Sequence, residues 1–367
     1  MPWQHEKKFL EEELATIHKR RYCIIVSRGT VAVYLALKAL GYKTGKIIVP
    51  SNICLGPLNA VLYAGLEPYF CDVTLKDFNL DIDQLEQILK IQGDVRAVLL
   101  PHMYGHPTDI DRIVQLAQKY KVKLIEDAAQ ALGGEYKGQS LGSFGEFSIL
   151  SFGHTKILDV GGGGALLFDR KEYLSDIQQH IRRLPWKVKG YKMLAEQYRK
   201  LYYALAPYVQ EDYTWGPLYY TFPYIFKELY LFQDISIDFL RKLKTGLKTL
   251  KHIVERRNEN AAHYIRHLRH PSIRHPQYQW SGVFWRYSFL IRYSQQQEIA
   301  KKIRQNGVDI SNWYPPAHYF FQMQPQRLKN AEYIGRHVFN LWVGPDYSLR
   351  KIERNAETVL RVLSHYE

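Results

Sequence analysis

The sequence predicts an α/β fold: a large, mostly parallel sheet with helices on both faces (an α/β/α sheet domain), followed by a small C-terminal α/β domain. Three observations carry this. Short apolar runs bounded by turn residues recur from Tyr22 to Phe168, and such runs read as buried strands. Stretches with helical spacing lie between them as far as Gln130, and strand–helix alternation is the signature of a parallel sheet. Polar and ionisable residues follow the runs: Ser27-Arg28-Gly29-Thr30, Ser51-Asn52-Ile53-Cys54, His102-Met103-Tyr104-Gly105, Glu126-Asp127-Ala128-Ala129-Gln130 and Ser151 to Lys156. These are the carboxyl ends of strands, where such folds bind their ligands.

A chain of 367 residues has room for one large and one smaller domain. The expected division is 1–240 and 241–367, with an aromatic and basic helical insertion at about 180–235. No apolar run reaches 18 residues, and the charged start lacks the apolar core of a signal peptide, so the expected location is cytoplasmic. Cys23, Cys54 and Cys71 show no metal-ligand spacing and read as free thiols, with no metal site and no disulfide expected. The net charge of +14 would attract anions. No zinc finger or RNP-like motif is present, so no nucleic-acid partner is expected, and a basic solvated surface explains the charge.

In order, residues 3–20 read as an amphipathic helix and Tyr22–Val26 as a strand. Ser27-Arg28-Gly29-Thr30 then opens the helical run VAVYLALKAL, a turn into a helix N-terminus that suits a phosphate. A plain N-cap at Ser27 or Thr30 is the competing reading. Further strands are expected at Lys46–Pro50, Glu67–Val73 and Arg96–Leu100, and helices at Phe78–Leu89, with Asp81 as a cap, and Asp109–Tyr120. His102 by itself is as well explained as a core histidine. Beyond the insertion, 236–268 reads as a long amphipathic helix. Strands at Phe284–Ile291 and after Gly307, then helices at 328–340 and 348–365, complete the small domain.

The chemistry concentrates in 122–168. Val122–Ile125 ends in Glu126 and Asp127, Phe147–Phe152 ends in Gly153-His154-Thr155-Lys156, and Gly161–Gly164 lead into Ala165–Phe168. A lysine and an acid ending neighbouring strands fit pyridoxal 5′-phosphate (PLP), whose enzymes use a lysine Schiff base and an acidic partner for the pyridine nitrogen. A surface lysine and a carboxylate in an ordinary turn are the competing reading. Neighbours on a strand alternate, so Glu126 should face away from Asp127.

The wording IEDAAQALGGEYKGQSLGSFGEFSILSFGHTK followed by GGGG, with SRGT, LPHMYGHPTDID and LKTLKHIVERRNENAAHYIRHL, resembles the DegT/DnrJ/EryC1/StrS family of PLP-dependent sugar aminotransferases. The resemblance covers most of the chain except about 180–240. It implies a fold-type-I PLP enzyme, a homodimer with shared active sites, and transfer of an amino group from a donor such as L-glutamate to a keto group of a nucleotide-linked sugar. It assigns the cofactor's lysine to Lys156, the pyridine-nitrogen partner to Asp127, the ring-oxygen contact to Gln130, and the phosphate to Gly29, Thr30 and Ser151. His102 or Tyr104, and His318 in the loop Asn312–His318, would reach substrate. The sequence departs from the family at three places. Cys54 stands where an aromatic residue covers the ring, leaving Cys54, Asn52 or Ile53 to do so. Gly162 stands where an acidic residue is usual. The asparagine and arginine that reach the neighbouring subunit are missing from LYLFQDISIDF. Alternatives are a non-sugar or lipid-linked acceptor, or a non-catalytic binding protein of the same fold. His154 is out of register to replace Lys156, as a histidine does in a related dehydratase subgroup.

The insertion holds ten of the chain's 28 tyrosines between residues 191 and 230. Three readings compete: helices burying their rings against the large domain or a dimer partner, a lid for a bulky acceptor, or a peripheral membrane patch, since Tyr and Trp with Lys and Arg suit a bilayer interface.

Overall fold

The computed structural model describes residues 2–211, 216–321 and 326–366. Helix α1 (Pro2–Ile17) precedes the large sheet, which is built from β1 (Tyr22–Val26), β2 (Lys46–Pro50), β3 (Glu67–Cys71), β4 (Val95–Pro101) and β5 (Lys123–Asp127). A small hairpin, β6 (Glu135–Tyr136) and β7 (Gln139–Ser140), leads to β8 (Phe147–Ser151) and β9 (Gly164–Phe168). The seven strands lie in the order β1-β9-β8-β5-β4-β2-β3. Strands β3, β2, β4, β5 and β8 are parallel; β9 runs antiparallel to both β8 and β1.

Alternation along the strands divides the core. Ile47, Val49, Ala97, Leu99 and Ile125 join the side that holds α2 (Gly29–Ala39) and α3 (Leu55–Tyr63). Ile48, Val98, Leu100 and Leu124 join the side covered by α4 (Ile82–Ile91) and α5 (Ile110–Lys119). A sheet covered on both faces needs near-continuous apolar strands, and KIIVP, VRAVLLP and GALLF supply them. Asp81 caps α4 by accepting from the Asp83 and Gln84 N–H groups, and Asp109 caps α5, as their short acceptors favour. Asp127 is the last residue of β5 rather than part of a following turn. At α2 the expected cap is absent: Arg28 holds the N-cap position without a side-chain cap bond, while Ser27 Oγ donates to the Phe232 carbonyl at 2.5 Å.

The chain continues through α6 (Tyr173–Arg182), α7 (Tyr191–Glu211), α8 (Gly216–Ile225) and the 31-residue α9 (Ile237–His267). The C-terminal part holds β10 (Ile273–Arg274), β11 (Tyr287–Ile291), β12 (Ile310–Ser311) and β13 (Val338–Leu341), in the antiparallel order β10-β11-β13-β12. Helices α10 (Gln296–Gln305), α11 (His318–Phe321), α12 (Lys329–His337) and α13 (Leu349–Leu363) accompany it. Tyr264, Phe289, Ile299, Ile352 and Val359 form a second core there. The division expected at 240/241 falls inside α9, which runs from the large sheet's neighbourhood into this second core. Among the described residues, no helix is long and apolar enough to cross a membrane.

Candidate active site

Five strand-end turns reach one cavity of about 960 Å³: Ser27 to Thr30, Ile53 and Cys54, Pro101 to Met103, Asp127 to Gln130, and Ser151 to Lys156. They come together because β1, β2, β4, β5 and β8 end at the same edge of the sheet. Pairing in register sets Pro101 beside Asp127 and Asp127 beside Ile149.

Asp127 is buried, and its Oδ1 accepts from the Ala129 N–H at 3.0 Å. Burial raises its pKa, opposed by the positive Lys156. A buried carboxylate of this kind is stabilised by a cation in front of it. A protonated pyridine nitrogen would be such a cation, so the residue fits the role. Lys156 stands in the turn after β8, which two residues from elsewhere hold. Trp285 Nε1 donates to the Thr155 carbonyl at 2.6 Å, and the buried Arg257 reaches the Lys156 carbonyl at 3.5 Å.

Gly29 opens α2 directly against Ser151. A Cβ at Gly29 would lie 3.1 Å from Ser151 Cβ, so any other residue would crowd the serine, and glycine lets the helix end and the hydroxyl close on one small anion. Thr30 and Ser151 line the same cavity. Nearby, Gly163 has φ +85, and a Cβ there would meet the Phe239 ring at 2.1 Å. Gly162, by contrast, faces open space, so nothing in the packing demands a glycine where the family pattern has an acid.

Gln130 lines the cavity with its amide fixed at both ends. Oε1 accepts from the Tyr104 N–H at 2.8 Å, and Nε2 donates to the Tyr314 hydroxyl at 2.8 Å. Cys54 and Ile53 both face the cavity, whereas Asn52 is buried and donates to the Phe78 carbonyl at 2.7 Å. Asn52 is thereby removed as a ring cover. Burial raises the Cys54 thiol's pKa, against the pull of Lys156, so it presents a neutral, soft surface.

His102 lines the cavity and bonds through Nε2 to Glu126 Oε1 at 2.9 Å. Glu126 faces away from Asp127, as alternation requires. It is fully buried and also accepts from the Gly142, Phe144 and Gly145 N–H groups. Burial works to raise its pKa, but His102 and those N–H groups outweigh it and hold the carboxyl below its usual 4.5.

Two expected substrate contacts stand elsewhere. Tyr104 lies behind the wall: its hydroxyl donates to the Trp313 carbonyl at 2.8 Å and its ring stacks on Trp285. It positions Gln130 through its backbone N–H. His318 is fully buried, hydrogen-bonded to Ser51 Oγ at 2.6 Å, with burial lowering its pKa to about 3. The loop does enter the site, through Tyr314 instead.

Sequence reasoning missed Trp285, Tyr314 and Arg257. Trp285 stacks between Tyr104 and Tyr314, with ring centroids 6.1 Å away on each side. It thus ties the Lys156 turn to the Gln130 side of the cavity. Trp285 meets Thr155, Arg257 meets Lys156 and Tyr314 meets Gln130 across 130, 101 and 184 positions, and no local pattern announces such contacts.

The insertion walls the mouth. Lys187, Val188, Tyr191, Lys192, Tyr230 and Phe232 line the same cavity. Arg28 is the hinge between turn and insertion: it donates to the Leu229 carbonyl at 2.6 Å and to the Tyr191 hydroxyl at 3.0 Å, and lies over the Tyr230 ring. Behind the wall, Tyr198 packs on Phe222, Phe226 and Tyr230, and the Tyr63 hydroxyl donates to the Pro223 carbonyl. Much of the aromatic content is therefore inward packing, while 187–192 and 230–232 border the site. Residues 212–215, which include Tyr213 and Trp215 of this insertion, lie outside the described residues.

The model of the DegT/DnrJ/EryC1/StrS aminotransferase family matches residues 4–200 and 243–360. The unmatched stretch, 201–242, is narrower than the 180–240 expected from the wording. GDP-perosamine synthase of Escherichia coli O157:H7 is 38% identical over 167 residues, which is 45% of this chain and 44% of that protein, so the match spans less than half of that relative. The dTDP-3-amino-3,6-dideoxy-alpha-D-galactopyranose transaminase of Aneurinibacillus thermoaerophilus is 26% identical over 358 residues, 96% of this chain and 88% of that protein. Among solved structures, NtdA of Bacillus subtilis with bound cofactor PMP superposes with a TM-score of 0.74 at 24% identity, over 98% of this chain and 77% of that one, a likeness of fold. The chain belongs to the DegT/DnrJ/EryC1/StrS aminotransferase family.

Proposed function

We propose that this chain is a PLP-dependent aminotransferase that moves an amino group from an amino acid, L-glutamate first among candidates, to a keto group of a nucleotide-linked sugar. The observation that carries the reading is the convergence of Lys156, buried Asp127 and the Gly29–Ser151 anion cradle on one cavity. When bound, PLP supplies a reactive aldehyde and an electron-accepting ring. Lys156 would hold the aldehyde carbon through its amine and carry a proton to and from the substrate carbon. Asp127 would keep the pyridine nitrogen protonated. Gly29, Thr30 and Ser151, at the positive end of α2, would hold the phosphate. Gln130, locked by Tyr104 and Tyr314, would set the ring's orientation, and Cys54 with Ile53 would cover its face. The names of the two curated relatives above favour a nucleotide-linked sugar as acceptor.

A second reading of the acceptor, a non-sugar or lipid-linked compound, is favoured by one observation: Val188, Tyr191, Tyr230 and Phe232 make part of the mouth apolar. The enzyme is taken as a cytoplasmic homodimer with sites shared between subunits, which sedimentation would check. A peripheral membrane contact would use the exposed Met193, Leu201, Tyr203 and Ile225; release from anionic liposomes at high salt would support it, and failure to bind them at low salt would remove it.

The test of the main reading is the visible absorbance of the protein with PLP, before and after L-glutamate, followed by a nucleoside-diphosphate keto-sugar. A PLP band that glutamate bleaches and the keto-sugar restores supports it. A band bleached by glutamate but untouched by keto-sugars moves the acceptor to the second reading. No band with PLP would leave a binding protein of this fold.

A further inference from the structure

Outside the cavity, α9 carries His263 and His267 one turn apart. At that spacing two side chains share a helix face. Their rings lie 6.0 Å apart and 12° from parallel. Glu353 of α13 faces them across the helix pair, its Oε1 3.8 Å from His267 Nε2. One ligand atom from each of the three residues lies within 4.8 Å of the others. Around a tetrahedral ion with bonds of about 2.0–2.2 Å, ligand atoms stand about 3.4 Å apart, so small side-chain rotations on two fixed helices close the set.

We propose that His263, His267 and Glu353 form a divalent transition-metal site, suited to Zn²⁺, that staples α9 to α13. Two imidazoles and one carboxylate are a zinc donor set, and the fourth position is left to water. The helices already pack on each other: Tyr264 of α9 accepts from Asn355 Nδ2 of α13 at 3.0 Å, so the backbones bearing the ligands are preorganised. His263 is half-buried, and its Nδ1 has no hydrogen-bond partner among the described residues. An ordinary His267–Glu353 ion pair accounts for two of the residues but not for the second, co-facial histidine.

The site is structural in its effect. His263 lies six residues beyond Arg257 on α9, about 9 Å at 1.5 Å per residue, and none of the three ligands lines the cavity. Metal there should fasten the C-terminal helices and leave amino transfer alone.

The test is calorimetric titration of the PLP-loaded protein with Zn²⁺, with thermal melts before and after EDTA. One equivalent should bind, and Tm should rise by about 2 °C or more. His267→Ala and Glu353→Gln change exposed or half-buried side chains, and each should weaken that binding at least about tenfold while metal-free melts stay close to wild type. Absence of binding in the wild type overturns the proposal, and so does binding that both variants retain unchanged, which would place the metal on other groups such as the cysteines.

Discussion

The inner end of the cavity and its mouth are built on different principles. The inner end is made of strand-end turns: Asp127 closes β5, Ser151 closes β8, and each is placed by sheet register. The mouth is made of helices and connecting chain from 187–232, held by ring packing and by Arg28. Sheet register leaves side chains little freedom, because a slip of one residue would turn Asp127 to the opposite face. Ring packing tolerates many sequences of similar volume. Under the proposed function this is a division of labour, with the chemistry on the rigid part and the choice of acceptor on the adaptable part. The family match stops at 201–242, which takes in Tyr230 and Phe232 but not Lys187 to Lys192, so the mouth draws on both the matched and the unmatched stretches.

Experiments can break this contrast, beginning with the strongest. Lys156→Ala should lose amino transfer by about 10⁴-fold or more, since it removes both the covalent anchor and the proton carrier. Retained turnover would end the assignment. Asp127→Asn keeps the shape and removes the charge, and should lower kcat by about 10²–10³-fold. Trp285→Phe keeps a ring between Tyr104 and Tyr314 but loses the bond to the Thr155 carbonyl. As a positioning change it should cut kcat about tenfold with little change in KM for the donor, and Trp285→Ala should do worse in both kcat and stability. If Trp285→Phe behaves as wild type, the turn bearing Lys156 is rigid without it.

At the mouth, replacing Lys187 and Lys192 together by Ala should raise KM for an anionic acceptor several-fold, an effect that shrinks with added salt. The same pair should leave consumption of the amino donor unchanged. A smaller effect concerns pH. The folded pKa of Glu126 is held below its ordinary 4.5, so its contribution to stability is complete above that value and is lost as pH falls through the folded value. Acid melts of Glu126→Gln against wild type should draw together progressively as pH falls from 4.5 through the lower folded value, and a gap that does not narrow at all on acidification would show that the His102 pair contributes by geometry rather than charge.

Much of the inner end was legible from sequence. The runs Tyr22–Val26 and Lys46–Pro50 are strands at the expected bounds, because apolar runs closed by turn residues admit few other structures. Asp127, Gln130, Ser151 and Lys156 line one cavity because each follows or closes such a run. What stayed hidden depends on contacts distant in sequence. Nothing local says that Trp285 will meet Thr155, that Tyr314 rather than His318 will enter the cavity, or that Tyr104 will turn inward to bind Trp313. The insertion was legible only as composition. Its rings suit a core, a wall or a membrane surface equally, and only the packing of Tyr198 and the placement of Tyr191, Tyr230 and Phe232 separate inward rings from cavity wall.

The division of labour is tested most directly by following the visible spectrum of the PLP-loaded protein after rapid mixing with L-glutamate. The comparison is between wild type, Lys156→Ala and the Lys187→Ala/Lys192→Ala pair. The account predicts bleaching at the same rate in wild type and the double variant, and none in Lys156→Ala. A double variant as slow as Lys156→Ala would contradict it, since the mouth would then belong to the chemistry it is held to leave untouched.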